Sequence, residues 1–379
     1  MRQTEKTISF VTKDGRVLSN ADITITQKTH DFLFGCGAFD ALNSTGDVRM
    51  QEWLELFNYG TLPFYWGTFE RNEGEPATDR LMNAAHFLSG RGVRLKGHPL
   101  CWHSVCADWL LKYDNATIFD KQIERIRRDV SAFRGVIDMW DVINEVVIMP
   151  VYDRYDNAIT RICKDMGRVR LVKEVFSAAK DANPDATLLI NDFDLSESYR
   201  ILIDGCLNAG VPISAIGIQT HQHQGYMGEK KLKDILERFC VFGLPLHFTE
   251  NTLLSGDIMP SGIKDLNDYK AKDWPSTTQG EMRQSEELCE MYSMLFEHPL
   301  VEAVTWWDFA DGAWLNAPGG LIRRDNTPKP SYFALKDLIF DKWMTRTRIR
   351  TDEGGRAVVK GYHGDYSAEC GEDIMEFHL

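Results

Sequence analysis

A chain of 379 residues has room for two or three ordinary domains, or for one α/β barrel of about 250 residues with an addition. With 43% hydrophobic and 26% charged residues it reads as a globular chain with ample core. Its net charge of −13 argues against nucleic acid or an anionic membrane surface as partner, and no apolar run approaches the ~20 residues that span a bilayer.

The opening stretch MRQTEKTISF has no apolar centre of the kind a secretory leader needs, so a cytoplasmic location is expected unless a leader has been trimmed away. Residues 7–28 alternate (Ile8, Phe10; Ile23, Ile25) around Lys13-Asp14-Gly15, which predicts antiparallel β-structure. One cadence then repeats: an amphipathic helix, a turn, and a short apolar strand ending in polar residues. Between Arg168 and Lys180, Leu171, Val172, Val175, Phe176 and Ala179 share one helical face. Asn183-Pro184 stops that helix, and Thr187-Leu188-Leu189-Ile190 follows as a fully buried strand. Eight such strands are predicted, near 32–37, 57–62, 93–98, 137–143, 187–192, 214–220, 245–250 and 302–307. Eight βα units fit a closed (β/α)8 TIM barrel over 33–344. A doubly wound open sheet is the alternative, although Gly35-Cys36-Gly37 lacks the third glycine of a phosphate turn. Residues 251–282, directly after the seventh strand, form a long loop where barrels shape their sites. Residues 346–379 alternate again around Asp352-Glu353-Gly354-Gly355, so 1–32 and 345–379 are expected to pair into one small β module. The eight cysteines are scattered and read as free thiols.

Barrel enzymes act at the carboxyl ends of their strands. Here those ends carry His98, Asn144-Glu145, Asn191-Asp192, Gln219 with His221, Glu250, and Trp306-Trp307. Glu145 and Glu250, on the fourth and seventh strands, can flank a ligand from two sides of the barrel. Two carboxylates about 5–5.5 Å apart suit retaining glycoside hydrolysis, in which one attacks the anomeric carbon and the other protonates the leaving oxygen. The chemistry requires the site to drive two identical groups apart in pKa.

Several segments, in order, resemble glycoside hydrolase family 10, the endo-1,4-β-xylanases. Trp140-Asp141-Val142-Ile143-Asn144-Glu145 resembles that family's WDVVNE strand, and Gly97-His98-Pro99-Leu100-Cys101-Trp102-His103 its GHTLVWH segment. Asn191-Asp192-Phe193-Asp194 resembles NDYN, Gly217 to His221 GxQxH, and Thr249-Glu250 the start of TELD. Trp306 through Trp314, with Asp311 between, resembles WGxxDxxSW, and Lys329-Pro330-Ser331-Tyr332 the closing KPAY. The resemblance implies Glu145 as acid/base and Glu250 as nucleophile. It implies His98, Trp102, Asn144, Gln219 and His221 around the sugar at the cleavage point, with Trp306 and Trp314 as its aromatic walls. It further implies no cofactor and no metal, and a β-linked oligosaccharide or polysaccharide as substrate, a xylan-derived one first.

The chain departs from the family in three places. Where the second strand should carry Glu-Asn-x-x-Lys for sugars on the non-reducing side, it reads Thr61-Leu62-Pro63-Phe64-Tyr65-Trp66. Thr252 replaces an aspartate two places after the nucleophile, and Phe193 lacks a tyrosine's hydroxyl. A β-glycosidase for a different or decorated glycan, or a sugar-binding barrel without turnover, are therefore the alternatives. His221 and His223 with His98 and His103 could instead hold a metal. Tyr65 and Trp66 are either barrel filling or a new sugar platform, while Trp109 and Trp140 read as core. The charged runs Glu229-Lys230-Lys231 and Arg125 to Asp129 read as solvated helix faces, and Asn43-Ser44-Thr45 and Asn115-Ala116-Thr117 as chance matches to a glycosylation pattern.

Overall fold

The computed structural model describes residues 2–43 and 46–379, so the Asn43-Ser44-Thr45 pattern falls partly outside the described residues. Two strands, β1 (Gln3–Ser9) and β2 (Asp22–Gln27), precede the barrel. Its staves are β3 (Leu33–Gly37), β4 (Tyr59–Pro63), β5 (Arg94–His98) and β6 (Met139–Asn144), then β7 (Thr187–Asp192), β8 (Ala215–His221), β9 (Leu246–Thr252) and β10 (Val301–Trp306). All eight pair in parallel in chain order, and β10 closes onto β3, so the sheet is a closed (β/α)8 barrel and not an open one. Each stave lies within two residues of its predicted position.

Alternation sorts the side chains of each stave between two layers. At the amino-terminal end Leu33, Tyr59 and Ala303 pack on Met139 inside the barrel, while Val142, Val304 and Trp306 join the larger core beneath the helices. The layers are tight enough to dictate residue type. A Cβ at position 97 would lie 2.1 Å from the Trp140 ring, and one at 217 would lie 2.3 Å from Asn191 Oδ1, so both positions take glycine.

The helices follow their signals. Asp114 caps the helix Asn115–Phe133 by accepting from the Thr117 N–H at 2.8 Å, and Ile118, Ile126, Val130 and Phe133 form its buried stripe. The solvated-face reading fails in this helix: Arg125 and Asp129 are buried. Arg125 turns inward because it donates to the carbonyls of Phe64, Pro99 and Leu100, tying down the chain just beyond β4 and β5. Glu229, Lys230 and Lys231 are exposed as expected.

The chain ends in β11 (Arg346–Arg350), β12 (Arg356–Tyr362), β13 (Asp365–Cys370) and β14 (Asp373–His378). The two ends pair antiparallel: β1 with β12, and β2 between β11 and β13, with β14 outermost. Phe10, Ile23, Ile25, Val359, Tyr366 and Ala368 form one core that joins both sheets. Arg2 fixes this structure to the amino-terminal end of the barrel. Its guanidinium donates to the carbonyls of Phe296 (2.5 Å), His298 (2.8 Å) and Val301, and lies 4.5 Å over the Phe32 ring. Among the described residues no helix is long and apolar enough to cross a membrane. All eight cysteines are free thiols.

Candidate active site

The carboxyl ends of the staves bring Glu145 and Glu250 to one cleft. Glu145 follows β6 directly and has a left-handed backbone (φ 55°), an uncommon conformation for a side chain of this size. Its N–H donates to the Asn191 carbonyl at 2.8 Å, which fixes that turn. Glu250 lies within β9, opposite Gln219 of β8, in a register set by a bulge at Thr249 of β9.

Asn191 links the two sides. Its amide nitrogen donates to Asn144 Oδ1 and to Glu250 Oε1, both at 2.8 Å, and its oxygen accepts from the Thr249 hydroxyl at 2.7 Å. Gln219 adds a second bond to Asn144 Oδ1 at 3.0 Å. With that oxygen taken twice, the Asn144 amide nitrogen is turned out as a donor for a ligand.

The environments of the two carboxyls differ sharply. Burial raises the pKa of Glu145 to about 8, reinforced by the charges of Glu250 and Asp192 and opposed by bonds from Trp102 and Gln219. The Trp102 indole N–H donates to Glu145 Oε2 at 2.7 Å. Burial also pushes Glu250 upward, but His98, His221 and Lys96 outweigh it and hold the carboxyl below its usual range. His221 Nε2 lies 3.0 Å from Glu250 Oε2, and His98 Nε2 lies 3.9 Å from Oε1. Behind His98, Asp141 lies 2.7 Å from both His98 Nδ1 and Lys96 Nζ, and this whole ionic group is buried inside the barrel. Thr252, where the family resemblance implied aspartate, puts its hydroxyl 3.1 Å from His221 Nδ1.

Trp314 reaches the cleft, 4.6 Å from the His221 ring, on a segment anchored by buried Lys329, which bonds to Asp311, Ser255 and the Gly320 carbonyl. Trp306 does not reach it. Alternation turns its indole outward, fully buried, with the N–H on the Gly319 carbonyl at 2.9 Å. Trp307 takes the inward place, with ring centroids 5.4 Å from His98 and 5.8 Å from His221. The spacing already held that signal, since Asp311 stands four places after Trp307, as in WGxxD. Tyr65 also faces the cleft, 5.7 Å from His98 and 5.5 Å from Trp102, whereas Trp66 is core. Sequence reasoning missed the half-buried Phe39, 5.5 Å from Trp307, and the buried Asp308, whose pKa burial and Asp311 raise to about 7.

The histidines do not converge. His221 is engaged with Glu250 and Thr252, and His98 with Asp141. His223 is buried beside Trp314, its pKa lowered to about 3 by burial and His221; burial alone lowers His103 to about 4. Among the described residues no three His, Cys, Asp or Glu side chains are arranged to hold a metal ion.

Comparison with known proteins adds independent findings. The family model for glycosyl hydrolase family 10 matches residues 65–338. An endo-1,4-β-xylanase/feruloyl esterase of Xylanibacter ruminicola is 26% identical over 71% of this chain, which spans 40% of that protein's length. Endo-1,4-β-xylanase B of Thermotoga neapolitana is 28% identical over 74% of this chain and 80% of its own. The solved family 10 structure from Paenibacillus barcinonensis shares the fold, with a TM-score of 0.68, 22% identity, and coverage of 82% of this chain and 95% of that one.

Proposed function

The chain belongs to glycosyl hydrolase family 10, and from that premise we propose that it is a retaining β-glycoside hydrolase acting on β-1,4-linked, xylan-derived oligosaccharides. The names of its relatives support the substrate class. One observation carries the assignment of roles: two carboxyls in one hydrogen-bonded site, one held protonated to about pH 8 and the other held ionised. Glu250 attacks the anomeric carbon while Glu145 gives its proton to the leaving oxygen. Glu145, then ionised, takes a proton from the water that releases the sugar. The Asn144 amide donates to a hydroxyl next to the reacting carbon, and Trp102 steadies Glu145 through both steps. Trp314 and Trp307 offer indole faces to the sugar's C–H surface. A β-glycosidase for another or decorated glycan is the second reading, favoured by the aromatic residues that stand where polar ones were implied after β4.

Two variants test the roles. Glu250→Ala should lose nearly all turnover, and azide should restore part of it by single displacement, giving the α-glycosyl azide. Glu145→Ala with an activated aryl glycoside should give the β-azide, because azide then intercepts the covalent intermediate. Analysis of the azide anomers by NMR distinguishes the two, and unchanged activity in either variant removes that residue from the mechanism.

A further inference from the structure

The β10–β3–β4 side of the cleft is lined by rings in mutual contact. Phe39, just past β3, stands edge-on to Trp307 at 5.5 Å between centroids and 6.2 Å from Tyr65, just past β4. Trp307 continues the line to His98 and His221, the two imidazoles beside Glu250, and Tyr65 continues it to Trp102 beside Glu145. A pyranose between two ring faces needs about 3.5–4.0 Å on each side, so roughly 7 Å or more between them. None of these neighbours leaves that gap. Nor does this side carry a carboxylate, amide or ammonium in the segment Pro63-Phe64-Tyr65-Trp66 that could bind a second sugar's hydroxyls.

Which end of a sugar chain meets this wall follows from the nucleophile. The unit that becomes bonded to Glu250 must lie over His98, His221 and Trp307, and Phe39 stands against Trp307. The leaving group lies toward Glu145 and His103, where the segment after β6 begins.

We propose that the cleft holds a single sugar on the non-reducing side of the scissile bond, so that the enzyme removes terminal β-linked xylosyl units one at a time. This inference rests on the reading of Glu250 as nucleophile, and it assigns an exo action to the same site. Phe39 is its specificity-determining residue: it closes the path a second non-reducing sugar would take.

The test uses β-1,4-xylohexaose labelled at its reducing end, with p-nitrophenyl β-xylopyranoside in parallel. The expected early products are xylose and labelled xylopentaose, followed by stepwise shorter labelled chains, and the single-sugar aryl glycoside is turned over. Early labelled xylobiose or xylotriose would overturn the exo assignment while leaving the hydrolase reading intact. Early release of the labelled terminal xylose would overturn the orientation. Hydrolysis of neither compound would overturn both readings. Phe39→Ala should raise the ratio of internal to terminal cleavage at least tenfold. An unchanged ratio in a variant that still hydrolyses the aryl xyloside would overturn the role of the wall.

Discussion

Glu145 and Glu250 are the same residue type, and only their surroundings make them different. Few charges face Glu145, so burial dominates. Glu250 has two imidazoles beside it and Lys96 nearby, so charge and hydrogen bonding from those groups dominate. The sign of the pH dependence follows from the proposed roles. Glu250 must be ionised, so kcat/KM falls on acidification only below the ordinary glutamate range. Glu145 must be protonated, so it falls as pH rises through about 8. A pH–rate profile of the free enzyme should therefore show a plateau across neutrality and an alkaline limb near 8, and an alkaline limb below 6 would contradict the assignment of Glu145 as acid. At this scale the sequence was most informative where a polar residue ends an apolar strand. It was least informative at Trp306 and Trp307, because one residue of parity decides which indole enters the barrel and which enters the helix layer.

The register of neighbouring staves builds the site from residues far apart in the chain. Asn191 on β7 reaches Glu250 on β9 past β8, and it does so over Gly217, where any side chain would collide with it. Gly217→Ala should thus displace the Asn191 amide from Asn144 and Glu250. The expected result is a fall in kcat of about 10- to 100-fold, in line with a misplaced reacting geometry, with far-UV circular dichroism unchanged. An unaltered kcat would remove Asn191 from the positioning of the pair. The eight staves were legible because each is a short apolar run bounded by turn residues. Their cross-strand partners were not, because bulges in β6 and β9 shift the register in ways no periodicity records. Arg125 and Asp129 escaped for a related reason: a charged residue on a helix reads as solvated until carbonyls on other elements claim it, as they do Arg125, and its counter-ion Asp129 is then buried with it.

Across the whole molecule, the carboxylates lie at one end of the barrel and the paired terminal strands at the other. Arg2 joins those strands to the loops that lead into β3 and β10, through carbonyl bonds and the face of Phe32. Arg2→Ala should cost about 1–3 kcal/mol of stability from the lost charged hydrogen bonds and ring contact. Calorimetry should record a lower Tm, and kinetics should record kcat/KM within about twofold of the parent. A large kinetic loss without a thermal one would refute this separation. At the centre, Lys96, Asp141 and His98 form a buried ionic group beside Glu250. During the proposed double displacement Glu250 surrenders its negative charge on forming an ester, while Asp141 goes on balancing the Lys96 ammonium. The barrel's interior thus keeps its own anion through the whole cycle, and the charge lost and regained at each turnover is confined to the cleft.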